Sequence, residues 1–400
     1  MKSDSFAHRI EHLAPEGAYA VLARAQELET QGHSIIHLEI GQPDFDTYAN
    51  ISLAGIRAIA DGKTKYNPPS GLPTLRQAIA QDAGQRRGIQ FTPEQVVVAP
   101  GAKPLLFFPL LALLEPGDQV IYPDPGFPTY EAAIRLTGAK AVPISLLEET
   151  GFDLDLDRLD ALVTPKTRLI ILNSPANPTG GVLSTSTLEH VARLAQEHDL
   201  WILSDEIYTR LVYPDTQSGA DTSAGEAPSI VTLPGMLERT IICDGFSKTY
   251  AMTGWRLGFG IMPEALAAKM GLLLTHSVGC TATFTQLAGL EAVMGPQGEV
   301  DSVRAEFHRR RDVMVNGLNA IPGVKCVLPK GAFYAFPNVK SFNRDVQALS
   351  SYLLDQAGVA LLPGTSFGRN GAGYLRLSYA NSVENIEQAL ARIADALAKL

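Results

Sequence analysis

The sequence predicts an α/β fold: a large domain built on a mostly parallel central sheet, with a smaller α/β domain beside it. Three observations predict it. "RLIILNSPANPTGG" at 168–181 is an apolar run of strand length that stops abruptly in Asn, Ser, Pro and Gly. "STSTLEHVARLAQEHD" follows, with Ser184 as a cap and Leu188, Val191 and Ala195 at helical spacing. "LWILSDEIY" is then a second apolar run, ending at Ser204 and Asp205. Strands that are apolar throughout and joined by a helix belong in a parallel sheet covered on both faces.

The pattern recurs along the chain. "TIICDGFSK" at 240–248 is an apolar run, then polar residues, then Lys248, and "QVIYPDPGFPTY" at 119–130 sets Phe127 just past a strand. Open α/β sheets bind ligands outside the carboxyl ends of their strands. Asn177, Asp205, Lys248 and Phe127 are therefore expected on one edge. Each alone has a plainer reading: Lys248 as a solvated lysine, Asp205 as a helix cap, Asn177 as turn chemistry before Pro178, Phe127 as a core plug. Their joint occurrence at strand ends is the functional signal. "SKTYAMTGWRLG" at 247–258 adds Ser247 and Arg256 to Lys248, three groups suited to an anion or a carbonyl.

Composition bounds the rest. The chain has 400 residues, 46% of them hydrophobic and 19% charged, which fits a folded enzyme-like chain with a sizeable core. A formal net charge of −9 argues against a general nucleic-acid or membrane-surface binder. The three cysteines, Cys243, Cys280 and Cys326, lack metal-like spacing and fit a reducing cytoplasm. No apolar stretch reads as a signal peptide or a membrane span.

Other motif matches fail on context. "HRIEH" at 8–12 fits a zinc pattern, but Pro15 and Gly17 follow and the segment reads as an arm, so no metal is expected. "GTSFG" at 364–368 fits a hydrolase elbow, yet "GRNGAGY" follows instead of a helix, and the last histidine is His308. "GKT" at 62–64 has Arg57 where a phosphate loop needs its first glycine, and "GFG" at 258–260 lacks the third glycine of a dinucleotide site.

"GQPDFDT" at 41–47, "NSPANPTGG", "SDEIY", "GFSKTYAMTGWRLG" and "YLRLSYA" together resemble the fold-type I, pyridoxal-phosphate-dependent aminotransferases of classes I and II. Within them the chain looks most like the bacterial-type aspartate aminotransferases, and the likeness runs from Gly41 to the C-terminal helix. The resemblance implies that Lys248 is the lysine whose amine bonds to the aldehyde of pyridoxal 5'-phosphate and later moves a proton. Ser247 and Arg256 then bind the phosphate, together with backbone groups of Gly101 and Ala102 in "APGAKPLLF" at 99–107. Asp205 pairs with the pyridine nitrogen, Asn177 and Tyr208 bond the ring's phenolic oxygen, and Phe127 stacks where a tryptophan is common in the subgroup. Arg376 and Gly41 hold the substrate's α-carboxylate. Tyr66, in "KYNPPSGLP", reaches the phosphate of the neighbouring subunit in a homodimer. Lys103 has two readings of equal weight, the substrate's distal carboxylate or a solvated or phosphate-binding lysine.

The expected division is a large domain over 51–290 and a small one combining an N-terminal arm and segment, 1–50, with 291–400. In the small domain "GAFYAFPNV" and "GYLRLSYA" read as strands. "SVENIEQALARIADALAKL" closes the chain as a helix with Val383, Ile386, Leu390, Ile393 and Leu397 on one face. The expected activity is amino transfer between an α-amino acid, aspartate or glutamate favoured, and a 2-oxo acid. Neutral or aromatic donors, and a lyase of the same fold, stay open as alternatives. An aminotransferase-like regulator would need length for a DNA-binding domain ahead of "GQPDF".

Overall fold

The computed structural model describes residues 7–10, 13, 17–214 and 225–400. Part of the "HRIEH" match, Glu11 and His12, lies outside the described residues. The strands are β1 (Ile36–His37), β2 (Val96–Ala99), β3 (Gln119–Asp124), β4 (Lys140–Leu147), β5 (Asp153–Leu154), β6 (Thr167–Asn173) and β7 (Trp201–Asp205). They continue as β8 (Thr240–Gly245), β9 (Gly258–Ile261), β10 (Tyr334–Ala335), β11 (Val359–Ala360), β12 (Leu362–Pro363) and β13 (Leu375–Ser378). Eight of these form one sheet in the order β2-β9-β8-β7-β6-β3-β4-β5. Only β9 and β5 run against the others.

The expected strand–helix–strand unit is β6, the helix Thr185–Glu197 and β7. Ser184 caps that helix by accepting from the Thr187 amide at 3.2 Å, and Leu188, Val191 and Ala195 are its buried face. Alternation along β6 explains why an unbroken apolar run is needed. Leu169 and Ile171 enter the core on one face of the sheet, and Ile170 and Leu172 the core on the other.

Register brings the strand ends together. Asn173 pairs with Asp205, and Asp205 with Cys243 on β8, so the carboxyl ends of β6, β7 and β8 reach one edge side by side. The sequence between β8 and β9 turns at once into the short helix Phe246–Thr249, which carries Ser247 and Lys248.

β10, β12 and β13 form a second, antiparallel sheet. The strands read in "GAFYAFPNV" and "GYLRLSYA" are present there but shorter than those segments. The N-terminal segment joins this part of the molecule: β1 pairs with β11, and the Ser378 amide donates to the Leu38 carbonyl at 2.8 Å. The closing helix is Val383–Leu397, with Ile386, Leu390, Ile393 and Leu397 buried and Val383 half-buried at its start.

Candidate active site

A cleft of about 1370 Å³ opens at the carboxyl edge of the large sheet. Its walls include Gly41, Ala102, Lys103, Phe127, Asn177, Asp205, Tyr208, Ser247, Lys248, Arg256 and Arg376. Residues from seven separate stretches of sequence thus meet where the strand pattern places a ligand.

Lys248 stands at the centre. Its Nζ donates to the Gly41 carbonyl at 2.5 Å and lies 5.9 Å and 5.8 Å from the ring centres of Tyr208 and Phe333. Burial pushes its amine down to about 8, helped by the cations of Arg376, Arg256 and Lys103 and opposed by Asp205. Near neutral pH a useful fraction of this amine is therefore uncharged and nucleophilic.

Asp205, the last residue of β7, is buried, and burial lifts its carboxyl to about 6 against the hydrogen bonds that hold it. Those bonds are 2.6 Å from the Tyr130 hydroxyl to Oδ2 and 3.3 Å from the Ile207 amide to Oδ1. Asn177 leaves β6 through a turn pinned by Asn173, whose Oδ1 accepts the Asn177 amide at 2.9 Å and whose Nδ2 donates to the Asp205 carbonyl at 3.1 Å. The Asn177 side-chain oxygen is buried and meets no protein partner.

One wall of the cleft is a crowded backbone. Gly101, with φ +85°, has Arg256 Nη2 where a side chain would stand, and a Cβ on Gly258 would strike the Gly101 carbonyl carbon and the Ala102 amide. The helix Lys103–Leu113 begins at this point, with Ala102 and Lys103 in the cleft wall. Arg256 Nη1 donates to the Thr253 carbonyl at 3.0 Å.

Arg376, on β13, is buried and donates through Nη2 to the Glu39 carbonyl, while its Nε meets no protein acceptor. Its guanidinium lies 4.7 Å from the Tyr334 ring centre and 5.2 Å from that of Phe367. Phe127 packs edge-on against Tyr130 at 5.7 Å, and Lys103 Nζ is 5.4 Å from the Phe127 ring centre. Tyr66 does not join the cleft of its own chain; it is 97% exposed.

The sequence reading missed Tyr130, Asn173 and Tyr334. Tyr130 follows Phe127 by three positions, and helical spacing alone would have put both on one face. Tyr334 sits in "GAFYAFPNV", where strand patterning hides a polar role.

The sequence model of the family "Aminotransferase class I and II" matches residues 33–393. The chain belongs to this family. It is an aminotransferase, and its relatives agree over nearly full length. The chain is 39% identical to the probable aspartate/prephenate aminotransferase of Aquifex aeolicus, covering 98% of this chain and 99% of that one. It is also 39% identical to the aromatic-amino-acid aminotransferase 2 of Thermococcus litoralis, over 97% of each chain. Among solved structures, the aspartate aminotransferase from Thermus thermophilus with maleate superposes with a TM-score of 0.91 at 38% identity, covering 98% of this chain and 99% of that one. Among the described residues, no helix of this aminotransferase is long and apolar enough to cross a membrane.

Proposed function

We propose that this aminotransferase moves the amino group of aspartate or glutamate to a 2-oxo acid such as 2-oxoglutarate, with pyridoxal 5'-phosphate held in the cleft. The observation that carries the reading is the convergence on Lys248 Nζ, with Asp205 and Arg376 in the walls of the same cleft.

The residues fit that cofactor. The raised carboxyl of Asp205 is unfavourable in the protein alone and suits a ring nitrogen that carries a proton, and the Asn177 side-chain amide, whose buried oxygen has no protein partner, brings an Nδ2 donor for the phenolic oxygen. The turn at Gly101–Ala102, the helix start, Ser247 and Arg256 suit a phosphate. When bound, the group supplies an aldehyde for the amino group and a ring that takes up electron density from the substrate's α-carbon.

The chain's own residues do the rest. Lys248 presents a partly neutral amine and moves a proton at Nζ. Asp205, oriented by Tyr130, would hold a positive ring nitrogen, and Asn177 and Tyr208 would hydrogen-bond the ring's phenolic oxygen. Phe127 would cover the ring face. Arg376, fixed from behind by the Glu39 carbonyl, takes the α-carboxylate beside Gly41. Lys103, in the cleft wall beside Phe127, would be the second cation that meets the distal carboxylate of a dicarboxylic donor.

Rates of a panel of amino donors with 2-oxoglutarate test the substrate class. Aspartate and glutamate are expected to be fastest. Lys103→Ala is expected to lower kcat/KM for these two by roughly tenfold to a hundredfold, the size of a charged hydrogen bond, and to change alanine and phenylalanine little. Equal losses for all donors would instead assign Lys103 to the cofactor. A second reading, an aromatic donor, draws on Phe127 and on the relative named for aromatic amino acids. Faster turnover of phenylalanine than aspartate would select it.

We also infer a homodimer in a reducing cytoplasm. Leu53, Ile56 and Ile59 are exposed on the helix Ala49–Ala60, and Tyr66 is exposed and outside the lining of its own cleft, which suits a residue serving a neighbouring subunit. The cysteines Cys243, Cys280 and Cys326 are free. We also propose the division into 51–290 and 1–50 with 291–400; two separate sheets, one within 96–261 and the other within 334–378, support it.

A further inference from the structure

Two phenols meet inside the cleft. Tyr208, just after β7, and Tyr334, the first residue of β10, have hydroxyl oxygens 2.6 Å apart, and both side chains are buried. Burial raises both phenols above their ordinary range, with the Arg376 cation acting against it at both. A phenol carries one proton. At this separation, one hydroxyl donates and the other accepts.

Tyr334 has two further contacts. The Arg376 guanidinium lies over its ring, 4.7 Å from the centre, and its hydroxyl occupies the space a side chain on Gly41 would need. One residue thus touches Tyr208, Arg376 and Gly41, the residues proposed for the ring oxygen and the substrate carboxylate.

We propose that Tyr334 is a positioning residue: its hydroxyl donates to Tyr208, committing the Tyr208 proton to the cofactor's phenolic oxygen, while its ring seats Arg376. The inference rests on the assignment of Tyr208 to that oxygen. If Tyr208 gave its proton to Tyr334, it would turn a lone pair toward an electron-rich oxygen, and two acceptors would face each other. With Tyr334 donating, Tyr208 accepts one hydrogen bond and gives another. A hydroxyl that accepts is polarised into a better donor. The two roles are separable, because phenylalanine keeps the ring and removes only the hydroxyl.

The test is the pH midpoint of the visible absorption of the cofactor-loaded protein. With the cofactor bound, the proton titrating in that band would lie near the ring oxygen, and its loss would leave the oxygen more negative. A hydrogen bond donated to the oxygen favours that form and lowers the midpoint. Tyr208→Phe is expected to raise the midpoint. Tyr334→Phe is expected to raise it less, by roughly half to one pH unit, the size a neutral hydrogen bond produces. The double variant is expected to match Tyr208→Phe alone, because Tyr334 acts through Tyr208. Additive shifts would overturn the proposal. If Tyr208→Phe moves the midpoint and Tyr334→Phe does not, this inference alone fails. If Tyr208→Phe moves nothing, the assignment of Tyr208 fails first. For the seat, Tyr334→Leu is expected to raise KM for amino acids over that of Tyr334→Phe by roughly fivefold to thirtyfold, the range of a buried cation–π contact, with carboxylate-free amines unaffected. Equal KM values in the two variants would remove the seating role.

Discussion

Asp205 is an almost wholly buried carboxylate at the cleft wall, and its charge is unfavourable until something positive sits beside it. Burial lifts it from 3.8 to about 6, a rise corresponding to roughly 3 kcal/mol. Because the fold favours the protonated form, the stability from this group is full below pH 3.8 and is lost as pH climbs through about 6. The cofactor-free protein is therefore destabilised at neutral pH by a residue kept for function. Asp205→Asn keeps the shape and removes the charge. In cofactor-free protein at pH 7–8 it is expected to raise the melting temperature relative to wild type, and in loaded protein to abolish most turnover. A melting temperature equal to or below wild type across pH 4–8 would show that the charge carries no such cost. Tyr130, which bonds this carboxylate, was legible in the sequence only as a neighbour of Phe127; Asp205 itself was legible because an apolar strand ends on it.

β9 does at the scale of an element what Asp205 does at the scale of a residue: its sequence is set by what it must approach. Gly258 faces Gly245 on β8 and Ala99 on β2, and a Cβ there would strike the backbone of Gly101 and Ala102. Backbone cannot rotate away as a side chain can. Gly258→Ala is expected to push the turn off the phosphate position and to cost about 1–3 kcal/mol, the usual range for overpacking. Faster release of cofactor on dialysis, together with a lower melting temperature, is the expected result; unchanged retention would detach this turn from the phosphate. Elements of this kind were read unevenly from sequence. β6, the helix Thr185–Glu197 and β7 were plain because burial on both faces forces unbroken apolar runs and Ser184 supplies a cap. β10 and β12 span two residues each, too short for any alternation to register. The pairing of β1 with β11, more than 300 residues apart, is set by tertiary packing that local pattern does not encode.

The whole molecule combines an exposed apolar helix face with an exposed tyrosine, Tyr66, outside the lining of its own cleft. The proposed homodimer would account for both. Light scattering is expected to give twice the chain mass, and Tyr66→Phe is expected to weaken cofactor retention without changing that mass; a monomer with full cofactor affinity would contradict the dimer. At this scale the site was legible because cofactor chemistry needs charged and polar groups at strand ends, whereas the network behind it was not, since Tyr334 and Asn173 act through contacts made only on folding. The central claim is that Lys248 passes an amino group through this cleft and does not break the donor down. It is tested most directly by mixing cofactor-loaded protein with excess aspartate and no oxo acid. The account predicts one oxaloacetate per active site, then arrest, then resumption when 2-oxoglutarate is added, with none of this in Lys248→Ala. Continued turnover without an acceptor, release of ammonia, or an undiminished burst in Lys248→Ala would contradict it.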